Sequence, residues 1–252
     1  MDLEPNISVV LLCYRSGEEV RGFVERLQDS LEQFEKNWEI ILVGNYLPGI
    51  SDPTPEVVNE IASNHPRIKA VVLEKKGMMG WDMRSGLRAA TGKNVAVIDG
   101  DGQMPLEDVA RVYKSLIEGD YDMVKTYRVG RKDGYYRKFL SFFFNIVFRV
   151  LFPGSNLRDV NSKPKILKRE YLDKMDLKSD DWFADAEIMI IARRLEMKVL
   201  EVPTTFNKIF SRPSFVKPWA VFEFLMNLLA YRIKELSSQS SQVNSKDSSE
   251  EK

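Results

Sequence analysis

The sequence predicts an α/β fold, a mostly parallel, Rossmann-like central sheet flanked by helices, and three observations predict it. Strand-length apolar runs alternate with amphipathic helical stretches through the first hundred residues. The alternation recurs roughly every 30 residues, the length of a βα unit whose right-handed crossover returns the chain parallel to itself. One run, Val95 to Ile98, stops abruptly in Asp99-Gly100-Asp101-Gly102-Gln103-Met104-Pro105, and open parallel sheets bind ligands at the carboxyl ends of their strands.

Ile7 to Cys13 is the first apolar run, and Gly17 to Phe34 follows with Val20, Phe23, Val24, Leu27, Leu31 and Phe34 on one helical stripe. Trp38 to Val43 predicts the second strand, Thr54 to Ser63 a short helix with Pro55 at its start, and Ile68 to Leu73 the third strand. Met78 to Ala90 predicts a helix, and Val95 to Ile98 the fourth strand. Leu106 to Ile117 and Asp122 to Tyr127 repeat the pattern once more. Lys138 to Phe152 breaks it, being apolar nearly all round, so it is buried in a core or in contact with lipid. It is too short to span a bilayer, which takes roughly 20 apolar residues. Ile166-Leu167 predicts a short strand, Phe183 to Leu195 a helix, and Lys198 to Val202 a last strand closed by Pro203. Trp219 to Leu236 is a C-terminal amphipathic helix with a narrow polar stripe at Glu223, Asn227 and Lys234. Two such helices pack against each other, against a second copy as a homodimer, or against a membrane surface as a peripheral contact.

The chain has 252 residues, with 37 Lys and Arg against 37 Asp and Glu. A formal charge of zero gives no electrostatic case for nucleic acid as a partner. Residues 1–236 are expected to form a single domain. The Ser-, Gln- and Lys-rich stretch 237–252 is too polar to offset its ordering entropy and predicts a disordered tail, with no spanning helix at that end. Cys13 is the sole cysteine, which excludes an internal disulfide and suits a reducing, cytoplasmic compartment. The N-terminus carries no basic and apolar leader pattern.

Chemistry concentrates at the end of the fourth strand. Residues i and i+2 of an extended segment project to one side, so Asp99 and Asp101 can face one point. Two such charges call for a positive partner, for which a divalent cation is the economical candidate. Asp185 and Glu187 lie two apart at a helix start, where they share no face. One of them faces the site, or both only complement the helix dipole. Lys75, Lys76, Arg131 and Lys132 are either anion ligands or solvated charges, and His65 reads as a surface residue before Pro66.

These pieces resemble family 2 glycosyltransferases, and more narrowly the dolichyl or polyprenyl phosphate sugar synthases. The features that carry the resemblance are the first strand with its Tyr-containing loop, the Asp99-x-Asp101-x-Gln103-x-Pro105 arrangement, the aromatic helix, Val202-Pro203, and the basic loop from Arg212 to Lys217. It covers residues 7 to 217 and implies a GT-A fold. It also implies a nucleotide-sugar and metal portion over 7–127 and an acceptor portion over 128–236. By the same resemblance Asp99 lies near the donor sugar, Asp101 binds Mg²⁺ or Mn²⁺, and Gln103 completes the metal neighbourhood. Tyr14 lies against the nucleotide, Asp159 and Lys165 precede the sixth strand near the acceptor, and Asp185 or Glu187 faces the acceptor. Arg212, Ser214 and Lys217 close over the donor phosphates, while Arg131 and Arg137 hold the lipid phosphate. The resemblance departs at Gly44-Asn45-Tyr46, where paired aspartates usually meet the base and ribose. It departs again in the donor segment from Lys75 to Gly86, with Met78-Met79 and Trp81-Asp82.

The expected reaction is metal-dependent, inverting transfer from a GDP- or UDP-hexose to a polyprenyl phosphate. Asp101 with Lys76, Arg84 or Arg212 would stabilise the leaving diphosphate. A zinc centre is disfavoured, because His65 and Cys13 are single. A hydroxyl acceptor, on a glycan or a soluble molecule, would need Asp185 or Glu187 as a base. A catalytically silent nucleotide-sugar binding protein is the remaining reading.

Overall fold

The computed structural model describes residues 4–129, 135–155, 157–205 and 219–250, with side chains outside 135–139, 219–221 and 238–250. Seven strands form one sheet: β1 (Ile7–Leu12), β2 (Trp38–Val43), β3 (Ile68–Val71), β4 (Asn94–Asp99), β5 (Met123–Val129), β6 (Lys165–Lys168) and β7 (Val199–Thr205). Their spatial order is β3-β2-β1-β4-β6-β5-β7. Every pairing is parallel except those of β6, which runs antiparallel between β4 and β5. The sheet is thus mixed, mostly parallel, and β4 runs through its middle.

The helices are α1 (Glu19–Phe34), α2 (Thr54–Ser63), α3 (Met79–Ala89), α4 (Glu107–Glu118), α5 (Tyr135–Leu151), α6 (Arg169–Leu172), α7 (Ala184–Arg194) and α8 (Trp219–Glu250). The first two strands are buried at every position, which is why they read as mainly apolar runs rather than alternating ones, interrupted only by Ser8 and Glu39, which hydrogen-bond each other. Alternate residues nevertheless serve different layers. Val10, Leu12, Ile41 and Val43 pack with Met83, Phe148 and Phe183 of α3, α5 and the segment before α7. Val9, Leu11, Ile40 and Leu42 pack with Phe23, Leu27, Val58 and Val112 of α1, α2 and α4.

The aromatic helix α5 divides between two environments. Phe148 and Phe152 beyond its end are fully buried in the core. Phe142, Ile146 and Val150, one helical turn apart, are exposed, Phe142 to 65% and Val150 to 74%. The C-terminal helix α8 packs on it, with the Phe144 and Phe224 rings edge-on at 4.2 Å. The polar stripe of α8 divides: Asn227 Nδ2 donates to Asp181 Oδ2 at 3.0 Å, whereas Lys234 is exposed, and beside the stripe Tyr231 donates to Glu187. Glu235 is buried among Arg193, Arg194 and Arg232. The large apolar residues Phe222, Met226, Leu229, Ile233 and Leu236 are exposed. No helix among the described residues is long and apolar enough to cross a membrane. The backbone of α8 is helical to Glu250.

Candidate active site

Three strand ends meet at the carboxyl edge of the sheet. In register, Leu12 of β1 lies opposite Val43 of β2 and Asp99 of β4. The loops that follow them carry Tyr14, Asn45 and Asp101. After Asp99 the chain turns through Gly102, whose φ of +70° suits a residue without a Cβ. Asp101 Oδ1 accepts the Gln103 N–H at 2.9 Å, closing an Asx turn ahead of α4.

Asp99 is anchored from inside the protein. Lys163 Nζ lies 3.2 Å from its Oδ2 and 3.0 Å from Asp185 Oδ2. The Lys163 side chain is 3% exposed and Asp99's is 33% exposed, so the pair links a buried cation to a carboxylate at the surface of the cleft. Met79 at the start of α3 also touches the ammonium, its Sδ at 3.2 Å. Asp185, in the first turn of α7, pairs on its other oxygen with Lys165. Burial raises the Asp185 carboxyl, but the ammonium groups of Lys163 and Lys165 outweigh that and hold it below the ordinary carboxylate range. Burial, with repulsion from Lys125 and Lys163, brings Lys165 down to about 7 despite Asp185. Lys163 moves the other way: burial lowers it, but Asp185 and Asp99 prevail and raise it.

The structure separates Asp185 from Glu187. Asp185 points toward Asp99 through Lys163. Glu187 accepts the Lys178 and Ser179 N–H groups at 2.8 and 2.9 Å and the Tyr231 hydroxyl, so it ties the loop before α7 to α8. It is not in the cleft, as the two-residue offset on a helix requires. Lys165 and Asp159, expected near the acceptor, are both interior. Asp159 receives Arg128 through Nε at 2.6 Å and Nη2 at 2.8 Å; burial opposes its ionisation, but Arg128 and Lys125 hold its carboxyl well below the usual range.

On the other side of β4, Asn45 is wholly buried. Its Nδ2 donates to Asp82 Oδ1 at 2.9 Å and Ser85 Oγ at 3.0 Å, and its Oδ1 accepts the Leu73 N–H at 2.8 Å. The Asn45 amide is thus engaged within the protein on both its nitrogen and its oxygen. Lys75 and Asp82 form an ion pair inside the same cluster, where burial pushes the ammonium down and the carboxyl up. The Tyr14 ring covers it, with Lys75 Nζ 4.2 Å from the ring centroid.

Arg84, another expected donor ligand, is bound to Asp180 and to the Lys178 carbonyl at 2.9 Å. The start of α3 meets the same loop: Met78 and Trp81 N–H groups donate to the Asp180 carbonyl, and Gly80 N–H donates to Asp181 at 2.9 Å. A Cβ on Gly80 would lie 2.6 Å from the Asp181 and Ser179 carbonyls, so this glycine serves close approach of two backbones. Carbonyls therefore already occupy the first N–H groups of α3. Of the expected basic donor residues, Lys76 stays exposed, 5.8 Å from the Trp81 ring. Arg131, Arg212, Ser214 and Lys217 lie outside the described residues, as does the Arg137 side chain.

Among the described residues, no three His, Cys, Asp or Glu side chains gather as a metal-binding group. Asp99, Asp101 and Gln103 offer hard oxygens on one turn, which fits a Mg²⁺- or Mn²⁺-type ion that keeps several waters and takes its remaining ligands from a phosphate. It does not fit a closed zinc site.

A family model described as glycosyl transferase family 2 matches residues 8–176. An undecaprenyl-phosphate 4-deoxy-4-formamido-L-arabinose transferase from Pectobacterium carotovorum is 32% identical over 171 residues, 68% of this chain and 51% of that protein. A dolichyl-phosphate beta-glucosyltransferase, ALG5A, from Trichomonas vaginalis is 27% identical over 81% of this chain and 66% of its own length. The chain spans about half the length of the first of these. Among solved structures, glucosyl-3-phosphoglycerate synthase from Mycobacterium tuberculosis, in complex with Mn²⁺, UDP and phosphoglyceric acid, is similar with a TM-score of 0.68. It is 17% identical, over 90% of this chain and 78% of that one, a likeness of fold.

Proposed function

Because the chain belongs to glycosyl transferase family 2, we propose that it moves a sugar from a nucleotide sugar to a polyprenyl phosphate at a membrane surface, with Mg²⁺ or Mn²⁺ at the strand-end carboxylates. The observation that carries the acceptor half is the outward apolar face of α5 and α8. An amphipathic helix that turns Asn227 and Glu235 toward the protein and leaves Phe222, Met226 and Ile233 exposed is arranged for a lipid boundary rather than for water. Two relatives are named for polyprenyl phosphate acceptors, in keeping with this reading.

In this reading Asp101 and Gln103 hold the cation, which supplies Lewis-acid stabilisation of the leaving diphosphate. Asp99, fixed by Lys163, accepts hydrogen bonds from the donor sugar and orients it. Arg212, Ser214 and Lys217 add countercharge over the phosphates, and Arg131 and Arg137 receive the acceptor phosphate. No general base is needed, since a phosphate acceptor arrives ionised. That agrees with the engagement of Asp185 between two lysines and of Glu187 by N–H donors and Tyr231.

Transfer to a small soluble acceptor is the second reading, favoured by the fold likeness to glucosyl-3-phosphoglycerate synthase over 90% of the chain. One assay separates the two. The protein is incubated with radiolabelled UDP-glucose or GDP-mannose, Mn²⁺, and either undecaprenyl phosphate in detergent or 3-phosphoglycerate, and the label is partitioned between phases. The proposal expects label in the organic phase, falling on the order of 10³-fold in Asp101→Ala. Label confined to the aqueous product moves the acceptor to the second reading, and donor binding without turnover across acceptors sinks both.

A further inference from the structure

We propose that Lys163 is the positioning residue of the donor site, a buried cation that fixes Asp99 in one orientation and lowers the negative potential of the carboxylate pair. The inference rests on the transfer reading for its kinetic arm alone. Three observations carry it. The ammonium sits between two carboxylates, 3.2 Å from Asp99 and 3.0 Å from Asp185, and is closed on a further side by Met79. Its side chain is 3% exposed, so water does not screen the contact as it would a surface ion pair. Asp185 is itself held by Lys165 and by its place in the first turn of α7, so Lys163 is braced from behind and cannot follow Asp99 if that carboxylate turns.

The consequence is a division between the two strand-end carboxylates. Asp99 has its charge offset from inside the protein, by the buried Lys163 ammonium at its Oδ2. Asp101 sits on the turn, engaged there with the Gln103 N–H. A cation arriving at the pair meets a smaller net negative charge than two free carboxylates would present. Affinity for the ion is traded for a fixed Asp99.

Substituting the lysine separates this role from support of the fold. Lys163→Met keeps the length of the side chain and removes the charge. Lys125→Met removes another fully buried lysine, paired with Glu201 rather than with Asp99. Titration with Mn²⁺ alone, followed by calorimetry, is expected to show Lys163→Met binding the ion on the order of tenfold more tightly than the unsubstituted protein. Donor turnover in the same variant is expected to fall about 100-fold in kcat with a change of threefold or less in KM. Lys163→Arg should recover part of kcat, and Lys125→Met should melt earlier without the gain in Mn²⁺ affinity. If Lys163→Met fails to fold, Lys163→Gln, an uncharged side chain that still offers N–H donors, is judged by the same measurements. Mn²⁺ affinity equal to that of the unsubstituted protein, in a variant that still folds, overturns the proposal. So does a gain in Lys125→Met as large as in Lys163→Met. Absence of turnover in the unsubstituted protein would count against the transfer reading and leave the Mn²⁺ measurement to decide on Lys163.

Discussion

Two buried ion-pair clusters flank the central strand of the sheet, and they behave differently. On the β2 side, Lys75 and Asp82 are enclosed with Asn45 and Ser85 beneath the Tyr14 ring. On the β6 side, Lys163, Asp185 and Lys165 form a chain that reaches out to Asp99. In the first cluster burial moves both partners toward neutrality, Lys75 down and Asp82 up. In the second, opposing charges outweigh burial at Lys163 and Asp185 and keep both ionised. Burial of charge does not by itself make a site. What distinguishes the second cluster is its link to a carboxylate that ligands can reach.

The first cluster is accordingly a matter of stability. Lys75→Met leaves the Asp82 carboxyl buried with only Asn45 for a partner, and removing one member of a buried pair costs about 3–5 kcal/mol. Urea unfolding of the variant should show that loss. Asp82→Leu in the same background, which removes the stranded carboxyl, should return a large part of it. A loss of less than about 1 kcal/mol in Lys75→Met would mean the pair is already neutral in the folded protein, and the contrast between the clusters would then be sharper still.

The middle of the sheet was legible because β1, β2 and most of β4 are buried on both faces and so stand out as apolar runs. The carboxylate pair was legible for a related reason: Asp99 and Asp101 interrupt such a run. Lys163 was not, since its partner Asp99 lies 64 residues earlier and a lysine in the approach to a short strand carries no periodicity. Burial of Lys165 was hidden in the same way, in a segment where basic residues alternate with few apolar ones. The inward turn of the Asn45 amide was not legible either, because it depends on the packing of α3, with Asp82 and Ser85, on β2. The amphipathic pattern of α8 was visible, but which side of the helix meets the protein depended on Asp181 and Glu187, the distant partners of Asn227 and Tyr231.

The second cluster should reveal itself in alkaline stability. Lys165 titrates near 7 in the folded protein against 10.5 ordinarily. Between those values the unfolded chain carries a proton that the folded chain lacks, so unfolding takes one up. Stability therefore rises with pH across the window from about 7 to 10.5 and gains nothing from this group below it. Lys75 and Lys125, also lowered by burial, act in the same sense. Comparing unfolding at pH 7 and pH 9.5 should give a steeper rise in the unsubstituted protein than in Lys165→Met. Equal slopes would place the titration on other groups.

The smallest effect on stability belongs to the exposed face, and it is informative for that reason. Val150, Ile233 and Phe142 are each more than half exposed, at 74%, 64% and 65%, so polar replacements there cost no buried contact. Val150→Glu and Ile233→Glu should each change unfolding free energy by about 0.5 kcal/mol or less. A lipid surface would respond quite differently, because each charge would have to enter the headgroup boundary on the side where α5 and α8 turn their apolar residues outward. Flotation with anionic vesicles should carry the unsubstituted protein upward and leave the doubly substituted one at the bottom. If both float alike, the face does not touch lipid. If neither floats and the unsubstituted protein sediments as a dimer that the same pair of changes dissociates, the face is covered by a second copy of the chain instead.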